Sequence, residues 1–337
     1  MTDPVLEVTN LRKYFKRSSL MDSILPNRET EVVSAVDDVS FSVSEGESIG
    51  VIGESGCGKT TLLKTLMGLH EITEGEISLE GKPTSEFSKK DWKEYRRKVQ
   101  FIFQDPFNAL NPKKTVRDAL LEPLKIHNIT DREMRIREAL DKAELRPPEK
   151  FLDQRPKHLS GGEKQRVAIA RVLTLEPEVI LADEPVSMLD VSTQASILKL
   201  LSRLVDETGI SMVYISHDLS TVSYVCDVLK IMYLGRFIES GPTKMVIDEP
   251  KHPYSKALIQ AIPVPDPHTN RERTTMEGSP RDPIGLEEGC RFRDRCPERM
   301  EICDKTPNSV VPDGEGSSKG REVACHLYYD HTKTHSR

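Results

Sequence analysis

The sequence predicts an α/β fold: a parallel sheet with flanking helices, a helical insert in its middle and a small cysteine-bearing lobe behind it. Three observations carry this expectation. Short apolar segments alternate with longer amphipathic ones between about residues 48 and 215, the pattern of strands joined by helical crossovers. One of those apolar segments runs straight into a glycine-rich loop. Four of the six cysteines, Cys290, Cys296, Cys303 and Cys325, fall in a tail that is otherwise rich in proline, glycine and charge.

Taken in order, the first strand is expected at residues 5–8. The stretch 16–28 is polar and basic, lacks any strand or helix period, and reads as a loop. Alternation of apolar and polar residues returns at 39–43. Residues 48–52 form a short apolar strand that enters the glycine loop, 60–69 a helix, and 76–79 a strand ending at Gly81. From about 115 to 145 charged residues interleave with Leu, Ile and Ala in a helical pattern, which Pro147 and Pro148 interrupt. A second helix starts near Ser160; the strand 179–182 precedes two acidic residues; a helix at 193–207 and a strand at 211–215 continue the alternation. After Gly241 the character changes, with only a short helix expected around 254–261. Composition alone would make this tail a linker, but its cysteines argue for a folded lobe. The division expected is 1–245 and 246–337, with the helical insert at about 105–160.

Composition narrows the function. The chain has 337 residues, of which 36% are hydrophobic and 30% charged, with a net charge of −6. At roughly 100–200 residues per domain this allows two domains, or one with an appendage, and is long enough to bury a sizeable core. The acidic balance argues against a general nucleic-acid binder. No run approaches the roughly 20 apolar residues of a membrane span, and Met1-Thr2-Asp3-Pro4 lacks the basic start of a secretion signal. The expectation is a soluble or peripheral protein of the cytoplasm. In that setting six cysteines favour metal or reduced thiols over disulfides. Cys57, inside the glycine loop, and Cys226, in a helical stretch, are expected to do no chemistry.

The sharpest signal is Gly53-Glu54-Ser55-Gly56-Cys57-Gly58-Lys59-Thr60, continued by Thr61. It fits the phosphate-loop pattern G-x-x-x-x-G-K-[ST], with an apolar strand before and a helix after. Its backbone N–H groups would converge on phosphates, Lys59 would reach the β and γ oxygens, and Thr60 would offer a hydroxyl to Mg²⁺. The strand at 179–182 ends in Asp183, placed to hold the Mg²⁺ shell, and Glu184, placed to polarise a water attacking the γ-phosphate. Ser160-Gly161-Gly162-Glu163 opens a helix with a hydroxyl cap and free backbone donors, a second anion nest. One chain needs only one such nest for its own phosphates, so the second makes sense against the γ-phosphate of a neighbouring chain.

These residues resemble the ATP-binding cassette (ABC) ATPases over residues 5–245. The phosphate loop, Leu159-Ser160-Gly161-Gly162 and the strand ending at Asp183 occur in that family's order. The resemblance implies a P-loop NTPase with a RecA-like core and antiparallel β and helical subdomains. It implies ATP held between the phosphate loop of one subunit and Ser160, Gly161, Gly162 and Glu163 of another. Ser187-Met188-Leu189-Asp190 resembles the D-loop, His217 the switch histidine, and Gln104 the Q-loop glutamine that senses Mg²⁺ and the lytic water. Tyr14 is placed like the aromatic that stacks on adenine. Glu163 stands where the family commonly has glutamine, and Met188 where it has alanine; neither removes a group that touches phosphate.

Finer details are similar to the oligopeptide and dipeptide importers, with nickel importers close by. They are Phe103-Gln104-Asp105-Pro106, Leu110-Asn111-Pro112, Asp183-Glu184-Pro185-Val186-Ser187, His252-Pro253-Tyr254 and Val323-Ala324-Cys325-His326. That resemblance implies a peripheral subunit on the cytoplasmic face of the membrane and two permease subunits, against which the insert would lie, with Phe107 and Leu110 either apolar contacts there or core residues. It further implies an extracytoplasmic peptide-binding protein and, because the long loop after Tyr14 resembles the second ATPase of such systems, a heterodimer, with a homodimer as the alternative. Cys290, Cys296, Cys303 and Cys325 supply four thiols. Their wide gaps tilt toward a [4Fe–4S] cluster, with zinc or reduced packing thiols as the alternatives; tails of this kind in peptide importers are similar to ones that carry such a cluster. Arg291, Arg293, Arg295 and Arg299 would offset its charge. A nickel or other small-solute importer, and a soluble cassette ATPase outside transport, are the alternative functions.

Overall fold

The structure, a computed structural model, describes residues 4–17, 31–105, 109–261, 281–312 and 320–329. Most of the loop at 16–28, and Phe107, lie outside them. Two sheets organise the described chain. One is antiparallel, in the order β2-β1-β4-β5, formed by Glu31–Val43, Leu6–Arg17, Glu74–Leu79 and Lys82–Pro83. The other has the order β11-β10-β9-β3-β8-β7-β6. In it β6 (Val99–Ile102), β7 (Val179–Asp183), β8 (Ser211–Ile215), β3 (Ser48–Ile52) and β9 (Val228–Tyr233) run parallel. On its far side β10 (Arg236–Pro242) and β11 (Glu322–Val323) run antiparallel.

Both faces of the large sheet are covered, which is why its central strands read as unbroken apolar runs. Successive side chains then serve opposite cores. Val179 and Leu181 of β7, with Val213 and Ile215 of β8, face the antiparallel sheet and helix α1 (Lys59–Leu66). Ile180 and Ala182, with Met212 and Tyr214, face the other core. That core is shared with helices α3 (Val116–Ile126), α4 (Arg132–Lys142), α6 (Gly161–Leu173) and α7 (Val191–Thr208).

Two expectations change in extent. Strands β1 and β2 are far longer than residues 5–8 and 39–43. Register shifts interrupt their pairing, and Asn10 and Asp38 take positive φ values of 46° and 59°, so apolar–polar alternation breaks while the ladder continues. The helical stretch at 115–145 is two helices, α3 and α4, separated at Asn128, which sits at φ 57°.

The tail returns to the main body. Helix α10 (Pro253–Gln260) is capped by His252, whose Nδ1 accepts from the Tyr254 N–H at 3.0 Å. Phe292 is buried edge-on to Tyr233 and Tyr254, with ring centres 5.4 Å from each. Val33 bridges to Ile284 beside β2, and β11 extends the large sheet along β10. Among the described residues, no helix is long and apolar enough to cross a membrane.

Candidate nucleotide site

The parallel strands β3, β8, β7 and β6 end at one edge of the sheet, where α/β proteins place their ligand sites. β3 leads into the loop 53–60 and then α1. Gly58 is required there: its φ is 108°, and a Cβ would stand 2.0 Å from the Ala35 carbonyl oxygen. The Lys59 ammonium folds back over the loop, donating to the carbonyls of Gly53 at 2.7 Å and Glu54 at 3.0 Å. Thr60 Oγ1 donates to Asp183 Oδ1 at 3.2 Å, joining the start of α1 to the end of β7. Burial raises the Asp183 carboxyl above the usual range, with Thr60 opposing and Glu184 reinforcing the shift.

One residue on, Glu184 takes a positive φ of 45°, and its N–H donates to the Ile215 carbonyl of β8. This turns its carboxylate toward two partners brought from other strands. Gln104 Nε2, just past β6, stands 3.2 Å from Glu184 Oε2. His217 Nδ1, just past β8, stands 3.1 Å from the same oxygen. Lys59, Thr60, Thr61, Ser55, Gly56, Gly58, Gln104, Glu184 and His217 all line one open cavity of about 560 Å³. All nine are candidates named from the sequence, Gln104 and His217 through the family resemblance; their pairing with Glu184 comes from the structure.

Other residues are placed differently. Tyr14 does not face the cavity: its hydroxyl donates to Asp37 at 2.5 Å, and the next residue, Phe15, lines the wall instead. The sequence pointed to Tyr14, but neighbours on a strand point to opposite faces, and the register of β1 turns Phe15 to the cavity. Cys57 is buried beneath the loop with its thiol raised by burial. Gly53 and Glu54 also lie off the cavity wall. Val33, Ala35 and Pro283 complete the wall; no motif marks them, and Pro283 comes from the tail.

A profile of the ABC transporter family matches residues 36–187, and one for the oligopeptide/dipeptide transporter C-terminal region matches residues 238–303. AppF of Bacillus subtilis, an oligopeptide transport ATP-binding protein, is 40% identical over 333 residues, covering 97% of this chain and 98% of its own length. YkfD of the same bacterium is 42% identical over 331 residues, 96% of each chain. The chain belongs to the ABC transporter ATPases. Among solved structures, the ATP-binding cassette MJ0796, dimeric in a post-hydrolysis state with ADP and Pi, matches with a TM-score of 0.60 at 30% identity, covering 71% of this chain and 98% of that one. The cbiO1 protein of Clostridium perfringens, part of the ABC transporter complex cbiONQ, matches at 0.62 and 29% identity, covering 73% and 92%.

The signature segment of this ABC ATPase lies away from the cavity. Ser160 Oγ accepts from the Glu163 N–H at 3.2 Å, and Glu163 Oε2 takes the Ser160 N–H at 2.8 Å and its hydroxyl at 2.9 Å. Glu163 therefore closes a capping box on the start of α6, beside Gly161 and Gly162. Asp190 does similar work at the start of α7, accepting from the Thr193 N–H and the hydroxyls of Ser192 and Thr193.

In the tail, Cys290, Cys296, Cys303 and Cys325 lie near enough to influence one another electrostatically. Burial pushes Cys290 up to about 11, Cys325 up to about 12 and Cys296 upward, each helped by its neighbouring thiols. Cys290 N–H donates to the Cys303 carbonyl at 2.8 Å. Among the described residues, however, no three His, Cys, Asp or Glu are arranged to hold one metal ion. The arginines expected to offset a cluster's charge pair with carboxylates instead: Arg291 with Asp37, Arg293 with Glu287, Arg295 with Glu54 and Arg299 with Asp304.

Proposed function

We propose that this ABC ATPase energises the import of oligopeptides or dipeptides across the cytoplasmic membrane, as a peripheral subunit bound to two permease subunits. The observation that carries the reading is the convergence of Lys59, Thr60, Gln104, Glu184 and His217 on one cavity at the strand ends. The tail's match to the oligopeptide/dipeptide C-terminal region supports the solute class.

In this reading the backbone of residues 53–61 and Lys59 bind the phosphates of ATP. The oxygen donors of Thr60, Asp183 and Gln104 suit Mg²⁺, which when bound neutralises charge on the β- and γ-phosphates. Glu184, oriented through Oε2 by Gln104 and His217, takes the proton of the attacking water, and ADP and phosphate result. Catalysis is positioning plus electrostatics. Ser160, Gly161 and Gly162 meet the γ-phosphate of a second ATPase subunit, head to tail, with Asp190 at the same interface. The dimeric state of MJ0796 supports that arrangement. A heterodimer with a homologous ATPase, an extracytoplasmic peptide-binding protein, and the division into 1–245 and 246–337 belong to the same proposal.

The four-thiolate reading of Cys290, Cys296, Cys303 and Cys325 belongs to it as well. Thiolates suit a [4Fe–4S] cluster or zinc, and the gathering of four thiols supports the donor set; a bound group would need them drawn closer together. Anaerobic purification with iron, sulfide and zinc analysis tests it: about four irons per chain supports the cluster, and no metal removes it.

The function is tested in cells deleted for this chain and supplied with peptides as their only source of a required amino acid. Lost growth on peptides with normal growth on the free amino acid is expected. Normal peptide uptake with impaired nickel uptake would replace the solute class.

A further inference from the structure

The tail reaches the phosphate loop through one side chain. Arg295, the residue before Cys296, donates from Nη1 to Glu54 Oε2 at 2.9 Å and from Nη2 to Glu54 Oε1 at 3.1 Å. Its Nη1 also stands 3.3 Å from the Tyr233 hydroxyl. The Arg295 side chain is only 9% exposed and that of Glu54 22%, so solvent screens this pair weakly. Glu54 is the second residue of the loop. Its N–H donates to the Tyr254 hydroxyl at 2.9 Å, and its carbonyl accepts from Lys59 at 3.0 Å. Both the carboxylate and the backbone of Glu54 are therefore held from outside the loop, by a tail arginine and a tail tyrosine.

A carboxylate in a loop that receives phosphates is an electrostatic liability. Left unpaired it would repel an anionic ligand across a partly desolvated site. A two-pronged guanidinium contact removes the net charge and fixes the geometry together. We infer that Arg295 is a positioning residue for the nucleotide site, neutralising and orienting Glu54 so that the phosphate loop binds anions more tightly when the cysteine-bearing segment is seated against it.

This rests on the nucleotide reading above. The test is equilibrium binding of ATP, ADP and AMP to the full chain without Mg²⁺, so that no turnover occurs. Arg295→Ala is expected to weaken ATP binding about tenfold, with a smaller loss for ADP and the least for AMP, because repulsion grows with ligand charge. Glu54→Gln placed in the Arg295→Ala chain is expected to restore ATP affinity, since it deletes the unpaired charge. Arg295→Lys, which keeps the charge without the fork, should fall between and serves if the alanine variant does not fold. Equal losses for all three nucleotides, or no rescue by Glu54→Gln, would make Arg295 merely structural and overturn the inference. An unaltered chain that binds no ATP would overturn the nucleotide reading instead.

Discussion

Arg321 and Glu239 form an ion pair, Nη2 to Oε1 at 2.6 Å, with both side chains sealed from solvent. Glu239 lies on β10 and Arg321 borders β11, so the pair pins the last strand to the sheet. Glu239 also accepts the N–H groups of Lys251 and His252, at 3.0 and 2.8 Å. Removing one partner of a buried pair leaves an uncompensated charge and costs about 3–5 kcal/mol. Arg321→Met is therefore expected to lower stability by that order in denaturant titration. A variant as stable as the parent would show that the pair carries no net weight.

Glu184 is the residue whose loss should separate binding from turnover. Glu184→Gln keeps the shape that Gln104 and His217 grip but cannot take a proton. Steady-state ATPase assays should show a fall of about 10²–10⁴-fold, while ATP affinity stays near that of the parent. Near-normal turnover would move the base elsewhere.

Phe15 and Tyr14 give opposite expectations. Phe15→Ala strips an aromatic from the cavity wall and should weaken ATP binding by about 0.5–1.5 kcal/mol, the range for ring contacts. Tyr14→Phe should leave ATP affinity unchanged and instead cost about 1.5–3 kcal/mol of stability, because it removes a hydrogen bond to the charged Asp37. Burial alone would raise the Asp37 carboxyl, yet Tyr14, Arg236 and Arg291 together hold it below the usual range. Titration calorimetry and thermal unfolding, run on both variants, distinguish the two roles.

His252 makes stability depend on pH. Burial pushes its imidazole down to about 3, against about 6.5 in an unfolded chain. Between those values the unfolded state binds more protons, so this contribution to stability is present above pH 6.5 and is lost as pH falls toward 3. Asn at this position still caps α10 through its side-chain oxygen. His252→Asn should therefore show a flatter decline across that window. Parallel declines for parent and variant would rule His252 out as the source.

How much of this was legible beforehand follows from where each signal lives. Lys59, Thr60, Asp183 and Glu184 sit in local motifs at a helix start and a strand end, whereas Gln104 and His217 were joined to them by the family resemblance. Phe15 was not legible, because facing depends on the register between β1 and β2, which bulges shift. Pro283 and Arg295 were less so still: Ser34, whose N–H donates to the Pro283 carbonyl, and Glu54, which Arg295 grips, lie more than two hundred positions away, and no periodicity encodes a long-range ion pair. The helical stretch 115–145 was legible as helix but not as two helices, since one Asn at positive φ makes the break.

The placement of β11 on the edge of β10 bears on how the chain is made. A ribosome that has released residues up to Pro242 has delivered every parallel strand, yet β10 still shows an open ladder of backbone donors and acceptors. Such an edge invites pairing with other chains, and domains form largely in the order in which they emerge. Until residues 322–323 arrive, Glu239 and Ser240 lack their cross-strand partners on that edge, and this two-residue pairing is the last of the sheet that synthesis can complete.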